Sequence, residues 1–600
     1  MKNKIINYIL ALFSAITLIT NWNSVYFNGW KAFVDYKIIL ILFLSFLLSV
    51  VYKKYSFEKT TLAKILAIIF SFCLLVGNCY LSYGTIAGLY QNNMILWSII
   101  KMFGYYQMLY FIINSLIHYD YHSLMINIKD KNILVKRFSN HPLITCLCVL
   151  FTCWSIYYIA FYPIVLSPDP SYQIKQFLGE RTKYLDYSVT LNDKVTITNH
   201  HPVFHTILIG GLTKFGMVIG NDNLGLFMYS LLQGVFMAFT LSQTICLLKK
   251  KGVGNKYLLL MLAIYALVPM FPLYALNGNK DVYYSLLMIW LLMLLFEYVD
   301  SPKMRKMSWQ EWWKWFIILF FICLFRNNGI YIAIFLFPFI LFYKKINIKK
   351  IATVFAAVIC LFFSYQKFLL PALGITAGSV REKMSIFFQQ TARYVINHED
   401  ELSSDDKKAI SAIIDYDKIK SSYNPLISDP IKNTYNKYAT SQDMKNYFKV
   451  WLKGLINHPM TYIDATLNNV FGYFDPEDIN WYTYTKYDTR ITNLVNYHYN
   501  NLEGLRTFLS YYAKIFPYLP IVGLISNIGF SFWIIFAMGI WLWKQKQKSY
   551  IIILIPSYVS WLVCIASPVN TYFRYAMPYV FIIPFVVGIW FYLNKKRISE

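Results

Sequence analysis

Several apolar runs in this chain reach the roughly 20 residues that a helix needs to span a bilayer. That property limits the fold to an all-α polytopic membrane protein. Spans are expected near 5–22, 37–52, 61–83, 94–116, 144–165, 223–247, 256–276, 281–298, 314–326, 329–343, 350–370, 518–543, 549–566 and 572–593. The total is about 14 transmembrane helices. The run 202–219 is held apart. Gly210, Gly211 and Lys214 make it a poor lipid-facing span, and counting it as one would put Lys249, Lys250 and Lys251 outside. It is expected instead as a helix lying on the membrane surface or dipping into it.

Charge placement supports that choice. The chain of 600 residues is 57% hydrophobic and 14% charged, whereas soluble domains run nearer about a quarter charged. A net charge of +26 would suit nucleic acid. Most Lys and Arg, however, sit in short clusters between apolar runs, and no basic stripe lies on a soluble domain, so no nucleic-acid partner is expected. With 202–219 at the surface, both termini and the clusters Lys53-Lys54, Lys136-Arg137, Lys249–Lys251, Arg305-Lys306, Lys344-Lys345 and Lys595–Arg597 face the cytoplasm. This is the loop bias that sets orientation. The nine cysteines lie in apolar segments, so neither a disulfide framework nor a thiolate metal site is indicated.

The expected organisation has four parts. Residues 1–140 form an N-terminal four-helix membrane module, and 141–370 a membrane core with an external loop at 166–201. Residues 371–517 form an external, mainly helical soluble domain, and 518–600 a C-terminal three-helix module.

The polar clusters map to one face. In Ser167-Pro168-Asp169-Pro170-Ser171 the residue types at Asp169-Pro170 match a helix N-cap with Pro at the first helical position. A short surface helix containing Gln173 would follow. Asp169 also suits a general base that takes a proton from an acceptor hydroxyl, because a buried or lipid-adjacent carboxylate has a raised pKa. Alternation from Tyr187 to Ile197 around Asn192-Asp193 predicts a small hairpin, which returns the chain to Asn199-His200-His201-Pro202. His201 and His205 are four apart, but no third ligand is evident and no metal is assigned. His200 and His201 suit stacking or hydrogen bonding to a substrate.

In Asn277-Gly278-Asn279-Lys280-Asp281, Lys280 can meet a phosphate, with Asn279 and Asp281 as substrate neighbours; a capped turn is the plainer reading. Arg326-Asn327-Asn328-Gly329 places an arginine near lipid, where it needs a partner or water, and its fork fits phosphate oxygens. Arg574 invites the same reading, with Asn570 and Tyr572 beside it as substrate contacts and Tyr575 as an aromatic-belt residue. Gln389, Gln390 and Arg393 are weaker candidates, and Asp475-Pro476-Glu477-Asp478 reads as a solvated turn. Together these residues describe one external site with a base, cations for a phosphate, and amides and aromatics for a sugar.

On these residues the chain resembles the GT-C superfamily of polyprenyl-phosphate-dependent membrane glycosyltransferases. The likeness is greatest to Gram-positive members distantly related to protein O-mannosyltransferases and aminoarabinose transferases. An apolar span leads into the early acid of Ser167-Pro168-Asp169-Pro170. A His-Pro pair then opens a surface helix ending in Lys214-Phe215-Gly216, and a further span ends in Lys249-Lys250-Lys251-Gly252. The likeness covers roughly residues 140–370 well and the remainder by layout. It implies Asp169 as catalytic base and inversion of the sugar by direct displacement. Where many members of that family carry two adjacent acids, this chain has Asp-Pro.

The expectation is therefore a multi-pass cell-membrane transferase with an extracytoplasmic site. It would move a sugar from a polyprenyl-phosphate carrier to a wall polymer, glycolipid or protein of the cell envelope, with no cofactor indicated. A transporter or lipid flippase, a wall-polysaccharide polymerase or ligase, and a non-catalytic assembly protein remain open at this point.

Overall fold

The computed structural model describes residues 2–20, 37–55, 58–91, 94–119, 121, 124, 133–301, 307–343, 348–479 and 482–599. The clusters at Arg305-Lys306 and Lys344-Lys345 lie outside the described residues. The first helices are α1 (Lys2–Ile19), α2 (Lys37–Lys54), α3 (Thr61–Tyr83), α4 (Met94–His118) and α5 (Pro142–Ala160). A short helix, α6 (Pro168–Phe177), precedes α7 (Val203–Val218), α8 (Asp222–Lys250) and α9 (Asn255–Leu267). Then come α10 (Lys280–Val299), α11 (Trp309–Phe325), α12 (Gly329–Phe342) and α13 (Ile348–Ser364). The polar segment carries α14 (Ser385–Asn397), α15 (Ser441–Asn457) and α16 (Pro459–Asn468). The chain ends in α17 (Ile528–Lys544), α18 (Ile551–Ile565), α19 (Phe573–Val580) and α20 (Ile583–Ser599).

Among the described residues there is no strand, only isolated bridges such as Thr198 with Thr376. Among the described residues eight helices are long and apolar enough to cross a membrane, so this is an all-α chain of multi-pass membrane type. Other apolar helices are shorter, including Val203–Val218 and Gly329–Phe342.

Proline explains where expected spans break. The run at 144–165 leaves the helix at Ala160, ahead of Pro163, whose ring removes a donor and clashes with the preceding turn. The freed backbone pairs sideways: Val165 N donates to Leu276 O at 3.1 Å, and Gly278 N to Val165 O at 2.9 Å. The run at 256–276 divides because Val268, which precedes Pro269, is extended (φ −69°, ψ 120°).

α10 is buried along nearly its whole length and forms the axis of the core. Its twenty residues rise about 30 Å, close to the thickness of a hydrocarbon core. At its C-terminal end Asp300 pairs with Lys251 and with Lys596 (3.6 Å), and it accepts from Tyr550 and Tyr592, both at 2.7 Å. Lys249 Nζ donates to Phe138 O at 2.7 Å. Basic residues from two parts of the chain, the ends of α8 and α20, thus gather at one end of α10, opposite Lys280 and Asp281. Beside α10, α7 and α8 pack against each other where two glycines meet; a Cβ on Gly216 would lie 2.7 Å from Gly225 Cα.

α14, α15 and α16 enclose a separate core around Phe388, Ile410, Tyr447 and Tyr462. It is tied to α3 through Asp464, which accepts from Tyr80 OH (2.7 Å), Thr85 Oγ1 (2.6 Å) and Ile86 N (2.9 Å). The hairpin expected between 186 and 199 is not formed. Val195 and Ile197 alternate because they pack on Val203, Leu370 and Ile375, not because they belong to a sheet. The acidic turn expected to be solvated buries both aspartates and exposes only Glu477: Asp475 is wedged against Gly77 and Gly529, and Asp478 accepts from Asn570 and Thr571.

Candidate functional site

Helix ends deliver the charged side chains to one place. At α6 the cap is Ser167, in extended conformation, and Pro168 takes the first helical position with its φ preset. The expected cap at Asp169 is therefore displaced by two residues. Asp169 stands in the first turn, and its carboxylate serves the cations instead of the helix end. α10 starts at Lys280 because Asn279 caps it, accepting from Asp281 N at 3.2 Å. Arg326 leaves α11 in extended backbone (φ −148°, ψ 121°). Gly329 then lets the chain turn tightly into α12, since a Cβ there would meet Ile322 O at 2.3 Å. Arg574 occupies the first turn of α19.

Asp169 is the centre of the group. Its Oδ2 accepts from Arg574 at 2.7 Å and from Lys280 at 3.2 Å, and lies 3.8 Å from His201 Nδ1. Lys280 Nζ also donates to His201 Nδ1 at 3.2 Å, which leaves that ring's proton on Nε2. Asp281 is the second acid. One oxygen is 3.2 Å from Arg574 Nε and the other 3.5 Å from Arg326. The two differ in access: the Asp169 side chain is 18% exposed and that of Asp281 only 1%. Aromatic faces cover the guanidiniums, Tyr572 and Tyr575 over Arg574 and Tyr284 and Tyr575 over Arg326. Two buried donors, His201 Nε2 and Asn279 Nδ2, have no hydrogen-bond partner among the described residues.

Charge overturns the expected raised pKa of Asp169. Burial pushes its carboxyl up, but Arg574, His201 and Lys280 outweigh burial and hold it well below the ordinary value. His200 is pushed down to about 4 by burial, against the opposing pull of Glu382 and Asp169. His201 is also driven well down, by burial and then by Lys280. Both imidazoles are neutral near pH 7. Asp169 is a stable anion in the resting site, not a poised base.

The other sequence candidates divide. His200 stacks on Tyr184 (centroids 4.0 Å) and lies 3.7 Å from Glu382, at the edge of the group. Tyr572 is at the group, bonded to Tyr484. Asn327 lies just behind, donating to Asn199 O at 3.0 Å. Gln173 is fully buried between Thr206 (2.8 Å) and His205 (3.0 Å), and His205 reaches Tyr229 at 2.7 Å instead of joining His201. Asn570 is spent on Gly472 N and Asp478. Gln389, Gln390 and Arg393 bond within the α14–α16 region and to Gly84. Tyr184 and Glu382 were not singled out from sequence, and Glu382, in Arg381-Glu382-Lys383, carries no local signal that could have flagged it.

An apolar cavity of about 510 Å³ lies between α7, α8, α10 and α11, lined by Phe204, Leu208, Phe236, Tyr283 and Phe325, with Lys314 also on its wall. Phe325 adjoins Arg326, and Phe204 follows His201 by three residues, so the cavity rises toward the charged group.

A family model described as a family of unknown function (DUF6020) matches residues 49–600. The chain belongs to that family. All the charged site residues fall within the DUF6020 match, whereas α1 and most of α2 precede it. No curated protein and no solved structure matches the chain.

Proposed function

We propose that this protein is a membrane glycosyltransferase of GT-C type, moving a sugar from a polyprenyl-phosphate donor to an extracytoplasmic acceptor in the cell envelope. The observation that carries the reading is a part-exposed carboxylate held by Lys280 and Arg574, together with an apolar cavity whose lining includes Phe325, the residue next to Arg326. An anionic headgroup on a long hydrocarbon tail has that shape and charge. The orphaned donors His201 Nε2 and Asn279 Nδ2 suit a polar ligand at the same level. The reading keeps about 14 spans, cytoplasmic termini, and the segment 371–517 outside.

In this mechanism the donor phosphate takes over Lys280 and Arg574, and Asp281 keeps Arg326 and Arg574 from separating. Asp169 loses its counter-ions, so its affinity for a proton rises only when donor is bound. It then accepts the acceptor hydroxyl proton as that oxygen bonds to the anomeric carbon. The carbon–oxygen bond to phosphate breaks, and the cations stabilise the charge left on the leaving phosphate.

The test uses full-length protein in lipid nanodiscs with radiolabelled polyprenyl-phosphate and polyprenyl-diphosphate sugars. Label should pass from the monophosphate donor, and Asp169→Asn should bind donor but transfer at least about a hundredfold more slowly. Near-normal transfer by that variant removes the base assignment. Transfer from neither donor, with passage of lipid across the bilayer, turns the site into a flippase.

A further inference from the structure

Two helices of the polar segment end in the same three residues. α14 runs out in Ile396-Asn397-His398 and α15 in Ile456-Asn457-His458. Each histidine caps its helix in nearly the same conformation, φ −137°, ψ 36° and φ −131°, ψ 58°. Each also donates its backbone N–H four residues back, at 2.9 and 2.8 Å. The repeated ending brings the two imidazoles face to face, with centroids 3.6 Å apart and planes 27° apart, over the ring of Tyr394. Three residues after His398, Glu401 turns back between them. Its Oε1 lies 3.1 Å from His398 Nδ1 and its Oε2 2.7 Å from His458 Nε2.

We propose that His398, Glu401 and His458 form a binding site for one first-row divalent cation, zinc being the best fit. All three ligand atoms lie within 4.8 Å of one another. A tetrahedral zinc with bonds of about 2.0–2.1 Å sets its ligands roughly 3.3 Å apart; closing the site takes a turn of the part-buried, stacked imidazoles toward Glu401, whose own side chain is exposed. Two imidazoles and a carboxylate are the ligand types that select zinc over calcium or magnesium. The outer nitrogen supports the assignment: His398 Nε2 lies 3.1 Å from Thr461 Oγ1 on α16, so the ring can donate there while Nδ1 faces the metal. Ligating histidines are commonly oriented in this way. Glu401 is half exposed, which leaves a fourth position for water. The ion would join the ends of α14 and α15 to the start of α16. The site is separate from the Asp169 cluster and does not depend on the function proposed for it.

Full-length protein carrying an affinity tag without histidine is stripped with chelator, then titrated with zinc. Metal content is read by mass spectrometry. One zinc per chain is expected, with loss of binding in the His398→Ala/His458→Ala double variant. Thr461→Val should weaken affinity by about 10–100-fold. In wild-type protein, X-ray absorption at the zinc edge should report two imidazole ligands, which keeps the test valid if the variants fold poorly. Equal zinc content in wild type and the double variant, or a zinc spectrum without imidazole, overturns the proposal.

Discussion

Asp281→Asn is the substitution that best tests the electrostatic argument. Its carboxylate is almost fully buried and faces two guanidiniums, at 3.2 Å from Arg574 and 3.5 Å from Arg326. At an effective dielectric of about 20, opposite charges about 3.5 Å apart attract by about 5 kcal/mol. Asparagine deletes both attractions and leaves two cations facing each other, offset in part because the carboxylate no longer has to be desolvated. Breaking a buried pair in this way costs about 3–5 kcal/mol. Unfolding entropy is about 2.1 cal/mol/K per residue, so a 600-residue chain melting as one unit should lose about 3 °C. A smaller cooperative block should lose more. Thermal melts in nanodiscs provide the measurement, and inorganic phosphate provides the control. An anion that binds only the folded state at about a hundred times its Kd restores about 2.7 kcal/mol. Phosphate should therefore raise the variant's Tm more than that of wild type. Equal melting temperatures without phosphate, or equal shifts with it, would refute the reasoning.

His200 gives a pH prediction. Its folded pKa is pushed down to about 4, against about 6.5 in the unfolded chain. The unfolded state therefore takes up the proton first, and wild-type stability should fall as pH drops from about 6.5 to about 4. His200→Asn should flatten the Tm profile across that window, and an unchanged slope would contradict the burial argument. At the α7–α8 contact, Gly216→Ala places a methyl 2.7 Å from the Gly225 backbone, which cannot yield as a side chain would. It should cost about 1–3 kcal/mol. Gly504→Ala, with nothing within 4 Å, should be neutral or stabilising in the same melts.

The charged group was legible because its members sit where apolar runs stop. An ionisable residue at such a junction needs a partner: Asp169 finds Lys280 and Arg574, and Asp281 finds Arg326 and Arg574. The direction of the Asp169 shift was not legible, since it depends on how closely Arg574 and Lys280 approach. The cap at α6 was misjudged because Pro168 and Pro170 offer two equivalent starts, and tertiary ion pairing decides between them. Alternation at 187–197 resembled a strand, yet only Val195 and Ile197 pack on a neighbour, while Val189 and Leu191 stay exposed. Gln173 and Asn570 read as free amides from sequence, but buried partners distant in the chain use them up. The His398–His458 pair was hidden for the same reason, although the repeated Ile-Asn-His was in view.

The group around Asp169 holds two carboxylates and three strong cations, with both neighbouring imidazoles neutral. Its resting charge is therefore one unit positive. Nearby, Glu382 and Asp429 offset Lys432 and Arg381, so they leave that unit unchanged. A phosphodiester carries a single negative charge and would bring the pocket to neutrality. A diphosphate would overshoot and strand an extra anion in a desolvated place. If the proposed glycosyltransferase reading holds, selection between the two classes of lipid carrier can be made by valence alone, before any sugar is recognised.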